Sequence, residues 1–163
     1  ILISTKGPDG GKGMEDPSMK GIIPRMVSTI FDQVMNADEN IEFVVSVSYI
    51  EIYMEKIRDL LNPSNDNLPV RENKSRGIYV EGTTEVGVAC EEDVMDVMRT
   101  GQSNRSVGFT KMNAESSRSH SLFIVNVMQK DINTGSKRAG KLYLVDLAGS
   151  EKVRTLVDKP PTC

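Results

Sequence analysis

The chain has 163 residues, of which 38% are hydrophobic and 26% are charged, and its 20 Lys and Arg against 23 Asp and Glu give a net charge of −3. This composition is that of one ordinary folded domain, and it excludes a disordered tail or a scaffold that depends on disulfides. The negative charge disfavours a general nucleic-acid binder, no stretch approaches the roughly 20 apolar residues of a membrane span, and one His with two distant Cys leaves no soft-ligand set for a structural metal.

The first half of the chain predicts a loop, a helix and a long strand. Residues 4–21 are rich in Gly, Pro, Asp and Lys, which favours turns. Apolar residues then recur at helical spacing from Pro24 to about Asn36. Residues 42–53 are dense in β-branched and aromatic side chains, which predicts a central strand buried on both faces.

The second half continues the alternation of strands and helices. A turn-rich loop over 62–67 precedes short strand-like pieces at 78–80 and 84–86. A helix is expected from residue 91, with acidic residues in its first turn, to about 103. After a polar loop over 110–119, strands are predicted at 121–129 and 141–147, so the chain is expected to be an α/β domain.

The last of these strands carries the most informative motif. Its apolar run ends on Asp146, and Gly149 follows three residues later. Ligands of open α/β sheets bind at such strand ends, where Asp can hold Mg²⁺ and Gly lets a backbone N–H approach a terminal phosphate. An apolar strand that ends in Asp and turns at Gly is also common in α/β domains, so this motif alone is weak evidence.

A second polar segment, Asn113-Ala-Glu-Ser-Ser-Arg-Ser-His120, lies directly before the preceding strand. Serine hydroxyls can ligate Mg²⁺ or position water, and Arg can pair with a phosphate or an acid. The alternative is a solvated loop in which the serines act as caps. For His120 a structural, hydrogen-bonded role is favoured, since no carboxylate or nucleophile is evident beside it.

Taken together, these two segments resemble switch I and switch II of the kinesin motor domain. Other segments match the same pattern, and they are residues 21–25, 49–53, 59–61 and 101–105. The resemblance runs from about residue 7 to residue 154, and details of 141–146 and 151–153 are closest to conventional kinesin heavy chain. It implies a P-loop NTPase-like motor fold, with a central mixed β-sheet flanked by helices, that is incomplete at both ends of residues 1–163.

The resemblance also implies a Mg·ATP site, whose residues here would be Asn113, Ser116, Ser117, Arg118, Asp146, Gly149 and Glu151. Ser117 would coordinate Mg²⁺, and Asp146 would hold a Mg²⁺-bound water. Gly149 would sense the γ-phosphate through its N–H. Asn113 and Ser116 would contact the nucleotide or position the catalytic water. Arg118 and Glu151 would form the salt bridge that closes the site.

Three basic residues, Arg71, Lys74 and Arg76, align with family positions that face the acidic surface of tubulin. Because Glu72 lies among them, a solvated charge cluster is the alternative. The resemblance therefore implies microtubules as a partner, a cytoplasmic location on the cytoskeleton and a homodimer formed through a stalk outside this chain. Neither a nucleic acid nor a membrane is expected as a partner.

The phosphate-binding motif Gly-x-x-x-x-Gly-Lys-[Ser/Thr] does not occur among the 163 residues. Near Lys12 the glycines are spaced wrongly, and Gly13 stands where a hydroxyl is required, so residues 7–13 are interpreted as a loop. We therefore expect a fragment of a microtubule-stimulated ATPase motor that hydrolyses ATP weakly or not at all when isolated. The alternative is a non-catalytic kinesin-like module that binds microtubules or interacts with a full-length motor, and a Ras-type GTPase is disfavoured by the lack of an Asn-Lys-x-Asp motif.

Overall fold

The computed structural model of the protein describes residues 21–74, 77–112 and 118–149. Both helices and strands are present along these ranges, but they do not alternate one by one as the sequence predicts, because five strands lie between the two helices. In chain order the elements are α1 (Ile22–Met35), β1 (Ile41–Tyr53), β2 (Lys56–Asp59), β3 (Val70–Asn73), β4 (Gly77–Val80), β5 (Val86–Val88), α2 (Glu91–Met112), β6 (His120–Asp131) and β7 (Lys137–Asp146).

The main sheet is built around the long strands β1 and β6, which pair antiparallel from Ile41 opposite Asp131 to Ile52 opposite His120. β7 pairs with the other edge of β6, so the strand order is β2-β1-β6-β7. β5 pairs with the same edge of β1 as β2 does, at a different part of that strand. The described pairings in this sheet are all antiparallel. β1 is therefore an interior strand, which its β-branched composition predicts.

One face of this sheet carries the core. Alternate residues of β1, such as Val47 and Tyr49, are buried beside Val125 and Phe123 of β6. Helices α1 and α2 supply the other side of the core, and Ile23, Val27, Val94 and Met98 are among their fully buried residues. The prediction of burial on both faces of β1 is confirmed for residues 47–51. Within residues 41–44, half-buried and exposed positions alternate.

Two short strands were not predicted, because each lacks a sequence signal. β2 follows β1 through a tight turn at Met54 and Glu55, which have φ of 49° and 61° without being Gly or Asn. β3 is wholly exposed, so it shows no apolar alternation. It pairs with β4 in a separate hairpin that stands outside the main sheet.

A buried carboxylate closes the connection between β2 and β5. Asp59 is 1% exposed and accepts hydrogen bonds from the backbone N–H groups of Leu61 (2.8 Å), Asn62 (3.2 Å) and Thr84 (2.6 Å). An ionised carboxylate that accepts several N–H bonds replaces the water it gives up on burial. Asp59 therefore joins the chain just after β2 to the segment that leads into β5.

Helix α2 runs to Met112, nine residues beyond the predicted end near Ser103. The prediction stopped too early because Gly101 and the polar residues after it weaken the helical pattern. Packing explains why glycine is tolerated: a Cβ atom on Gly101 would lie 2.1 Å from Cδ1 and 2.8 Å from Cε1 of Tyr49. The helix thus crosses the sheet at a distance that no larger residue allows.

The strand bounds otherwise differ from the predictions by a few residues. β5 lies at 86–88 where 84–86 was predicted, and β7 begins at Lys137 where residue 141 was predicted. The extra residues of β7, 137–140, are all exposed, so they are held by the ladder to β6 and not by burial. Among the described residues, no helix is long and apolar enough to cross a membrane.

Substitution Gly101→Ala is expected to lower the free energy of unfolding by about 1–3 kcal/mol, because the new methyl group overlaps the Tyr49 ring. Chemical denaturation followed by circular dichroism measures the change. Gly140→Ala is the matched control, since a Cβ there meets nothing within 4 Å. Equal effects from the two substitutions would contradict the close approach of α2 to β1.

Candidate functional site

The candidate site begins where β7 ends. Asp146 is the last residue of the strand, and Ser121 of β6 lies opposite it in the ladder. The pairing places the chain that enters β6, with Arg118 and Ser119, beside the segment 146–149 that leaves β7. The Arg118 and Gly149 residues are exposed at this edge. The ends of the two motifs recognised in the sequence are thus neighbours in space.

Several predicted site residues lie outside the described part of the chain. They are Asn113, Ser116, Ser117 and Glu151 of the nucleotide site and Arg76 of the microtubule site. The predicted salt bridge between Arg118 and Glu151 therefore remains a prediction. Asp146, Gly149, Arg118, Arg71 and Lys74 are described, and the structure gives each of them a definite place.

A row of polar side chains crosses the sheet beside Asp146. Glu51 of β1 lies opposite Ser121 of β6, and Ser121 lies opposite Asp146 of β7. Because residues directly opposite each other share a face of a sheet, these three side chains form one row. The neighbouring row on the same face is apolar and consists of Tyr49, Phe123 and Leu144.

Arg105 of α2 lies over the polar row. Its guanidinium forms ion pairs with Glu51 (Nε to Oε1, 3.3 Å) and with Asp146 (Nη1 to Oδ2, 3.4 Å). It also donates to the Ser121 hydroxyl (3.3 Å) and to the carbonyl and hydroxyl of Ser119 (3.2 and 3.0 Å). One guanidinium thus connects α2 to β1, to the start of β6 and to the end of β7.

The spacing of α2 over the sheet follows from helix and strand geometry. Gly101 packs on Tyr49 in the apolar row, and Arg105, four residues further along the helix, lies over Glu51, two residues further along the strand. Four helical residues advance about 6 Å, and two strand residues advance about 6.6 Å. The same crossing therefore brings both contacts into register.

Burial strengthens the ion pairs that Arg105 forms. The side chains of Arg105 and Glu51 are 11% and 4% exposed, whereas that of Asp146 is 38% exposed. Burial also raises the pKa of the Tyr49 hydroxyl at the edge of the cluster, with a smaller opposing effect from Ser121 and from the positive charge of Arg105. Water screens such interactions poorly here, so the loss of either charge of the inner pair would be costly.

His120 forms a second link to the segment after β7. The backbone N–H of Ala148 donates to Nδ1 of His120 at 3.0 Å. An Nδ1 that accepts carries no proton, so the neutral ring has its proton on Nε2. This geometry agrees with the hydrogen-bonded structural role that the sequence favours for His120.

Asn104, the residue before Arg105 in α2, contacts the opposite edge of the sheet, beside β2. Asn104 donates from Nδ2 to the carbonyl of Leu60, directly after β2, at 2.8 Å. Leu60 in turn donates its N–H to the carbonyl of Tyr49 at 2.8 Å. Consecutive residues of α2 thus contact the β2 edge and the β7 edge of the sheet.

The Asp146 carboxylate suits magnesium. It is a hard oxygen ligand at a strand end, and its partial exposure leaves it accessible to a solvated ion. In the described ranges no three His, Cys, Asp or Glu side chains form a group that could hold a metal ion. One carboxylate together with hydroxyls and substrate phosphates is the usual mode of Mg²⁺ binding, so the residues present fit Mg·nucleotide better than a resident metal ion.

Glu51, Arg105 and Tyr49 lie in this site but were not predicted as site residues from the sequence. A signal was present for Glu51, because it is a charged residue inside an otherwise apolar strand. Arg105 belongs to the segment 101–105 that resembles the family pattern. Its contact with Asp146 could not be inferred, because the two residues are 41 positions apart.

A model of the kinesin motor domain matches residues 9–159. The chain belongs to the kinesin motor domain family. The resemblance seen in the motifs is thereby confirmed, and the family is shared by chains whose sequences are more than half identical to this one.

Among curated proteins, kinesin-related protein 3 of Dictyostelium discoideum is 59% identical over 145 residues, and the match covers 86% of this chain and 12% of that protein. The kinesin heavy chain of Syncephalastrum racemosum is 57% identical over 143 residues, with 88% and 15% covered. Human kinesin heavy chain isoform 5C is 55% identical over 140 residues, with 86% and 15% covered. The chain thus spans only a small part of the length of these kinesins.

A solved structure described as that of a fast kinesin superposes on this chain with a TM-score of 0.83 at 52% identity, covering 93% of this chain and 43% of that one. The α/β kinesin motor fold is therefore confirmed, as a partial domain. The expected similarity to conventional kinesin heavy chain is likewise confirmed by the relatives.

Substitution Glu51→Ala is expected to lower the free energy of unfolding by about 3–5 kcal/mol, because it leaves the buried Arg105 without its inner partner. Glu42→Ala is the matched control: Glu42 pairs with Lys130 at a similar distance of 3.2 Å, but both side chains are about half exposed. The control is expected to cost less than about 1 kcal/mol. Urea denaturation compares the two, and equal losses would contradict the burial argument.

Proposed function

We propose that the chain is the switch-bearing part of a microtubule-stimulated motor that couples Mg·ATP hydrolysis to movement. The observation that carries this proposal is the position of Asp146, which ends β7 beside the start of β6 and is joined by Arg105 to helix α2. A carboxylate at such a strand end is suited to hold Mg²⁺, and a structural connection to a helix can pass a change at the nucleotide to the rest of the domain.

The residue roles that we propose follow the family motifs. Ser117 would ligate Mg²⁺ directly and Asp146 through water, and the backbone N–H of Gly149 would face the γ-phosphate. Asn113 and Ser116 would contact nucleotide or orient the attacking water. When bound, Mg²⁺ neutralises charge on the phosphates.

Closure of the site is the role that we propose for Arg118 and Glu151. An ion pair that loses water on forming leaves two poorly solvated charges when it breaks, so it can act as a latch. The exposure of Arg118 at the site edge leaves its guanidinium accessible to a partner. Switch rearrangement would then alter the surface offered to the microtubule.

The isolated 163-residue polypeptide is proposed to hydrolyse ATP weakly or not at all. It contains no Gly-x-x-x-x-Gly-Lys-[Ser/Thr] sequence. The backbone amides and the lysine of such a loop supply a large share of the electrostatic stabilisation of bound phosphates. The switch residues alone cannot replace that contribution, because they supply neither the cradle of backbone amides nor the lysine of such a loop.

Microtubule contact is proposed for the β3–β4 hairpin, with Arg71, Lys74 and Arg76 facing acidic tubulin. Both strands of the hairpin are largely exposed. Arg71 pairs with Glu81 at 3.0 Å while remaining 58% exposed, and Lys74 follows β3 at an exposed position. A cytoplasmic location on microtubules and homodimerisation through a stalk belong to the same proposal.

The second candidate function is a non-catalytic module that binds microtubules. It is favoured by the separation of the hairpin from the main sheet, since its exposed charges do not depend on the Asp146 site. The two candidates differ in one property. A motor changes its microtubule affinity with nucleotide, whereas a passive module does not.

Binding of a fluorescent ATP analogue tests the nucleotide part of the proposal. The isolated chain is expected to show no saturable micromolar binding, because it lacks a phosphate-binding loop sequence. Addition of a chain segment that carries such a loop is expected to restore Mg²⁺-dependent binding, and Asp146→Asn is expected to weaken it about tenfold or more. Micromolar binding by the 163-residue chain would contradict the proposed impairment.

Cosedimentation with microtubules tests the hairpin. The double substitution Arg71→Ala/Lys74→Ala is expected to reduce affinity several-fold, with a weaker dependence on salt, because two cations are removed from an exposed surface. Arg99→Ala is the matched control, since Arg99 is also an exposed arginine paired with acidic residues. Equal affinity for the hairpin variant and the wild type would exclude this surface, and a lack of nucleotide dependence in the complete motor would favour the passive module.

A further inference from the structure

The segment that follows β7 has little apolar support. The ladder between β6 and β7 ends at Ser121 and Asp146, and residues 147–149 are not part of a strand. Leu147 is 70% exposed, so burial of its side chain does not hold the segment in place. The direction in which the chain leaves the sheet must therefore be set by polar contacts.

His120 supplies one of these contacts through the side chain rather than the backbone. Its ring accepts the N–H of Ala148 just beyond the last ladder pair, while its own backbone remains paired with Ile52 of β1. A ring attached to an interior strand is a fixed acceptor. It holds the Ala148 amide, one residue before Gly149, in one orientation.

Arg105 supplies the other contact and is itself held in place. Glu51 and the buried residues Ser119 and Ser121 accept hydrogen bonds from its guanidinium. The group that reaches Asp146 is therefore preorganised, since its planar fork is already oriented by three other partners. Asp146 accepts from a donor that cannot turn away without abandoning the buried Glu51.

We propose that Arg105 and His120 are positioning residues that set the geometry of the segment 146–149 from outside β7, Arg105 at the Asp146 carboxylate and His120 at the Ala148 amide. The inference rests on the proposed function, because it is this segment that would face Mg²⁺ and the terminal phosphate. Neither residue need touch the nucleotide. Arg105 would act by orienting the Asp146 carboxylate and His120 by orienting the backbone one residue before Gly149, so that the loss of either is expected to loosen this segment more than the rest of the sheet.

Hydrogen–deuterium exchange of the full chain without nucleotide tests the proposal. In His120→Phe, which keeps a ring but removes the acceptor, the Ala148 amide is expected to exchange about tenfold faster. In Arg105→Met, peptides that cover residues 142–149 are expected to exchange several-fold faster. His120→Asn and Arg105→Lys retain an acceptor and a cation, and both are expected to remain closer to the wild type.

The controls separate positioning from simple loss of stability. Arg99→Met makes the same change elsewhere on α2, at exposed ion pairs, and is expected to leave residues 142–149 unchanged. In every variant, peptides from β1 report on the sheet. An increase in exchange that is larger for residues 142–149 than for β1 supports the proposal, and unchanged exchange there, or an equal increase across β1, overturns it.

A nucleotide measurement distinguishes failure of this inference from failure of the proposed function. If the complete motor binds Mg·ATP and Arg105→Met raises the Mg²⁺ concentration needed for half-maximal binding, while Arg105→Lys restores it, both proposals are supported. If the complete motor binds no nucleotide, the proposed function is lost, and the exchange data still decide whether the two residues position the segment. Normal Mg²⁺ dependence in Arg105→Met would overturn the inference alone.

Discussion

The arrangement of the site depends on one buried cation. Arg105 lies between helix α2 and the sheet, where a guanidinium with no anion beside it would be strongly destabilising. Glu51 compensates its charge from below, and Asp146 does so at the more exposed side. Because the guanidinium is planar and its donors point in defined directions, the positions of β1, β6 and β7 beneath it are constrained together. A candidate magnesium ligand is thus tied to the same group that anchors the helix.

The contact of α2 with Tyr49 is what brings this cation within reach. The ring of Tyr49 meets Phe123 edge to face, with centroids 5.3 Å apart and planes at 79°, and Gly101 lies directly over it. A side chain at position 101 would move the helix outwards and lengthen every bond that Arg105 makes. The apolar row thereby determines the geometry of the polar row next to it, and the stability of the core and the order of the site are coupled.

The sequence was most informative where pattern and composition agree. The long apolar strands, the start of each helix and the two motifs were all predictable, and the family followed from the motifs. Local pattern failed for β2, whose turn at Met54 and Glu55 lacks the usual residues, and for the C-terminal half of α2, where glycine suggests an end. In the site, Asp146 was predictable because it ends a strand. Arg105 was not, because only the crossing of α2 over the sheet gives it a partner.

The paired contacts of Asn104 and Arg105 have a mechanical consequence. Asn104 is bonded to the chain just after β2 and Arg105 to the end of β7, so one turn of helix contacts the sheet at two separated points. A shift of α2 along its axis by one residue, about 1.5 Å, would lengthen both contacts at once. A displacement of α2 along its axis therefore either carries both edges of the sheet with it or weakens the contacts of both residues together.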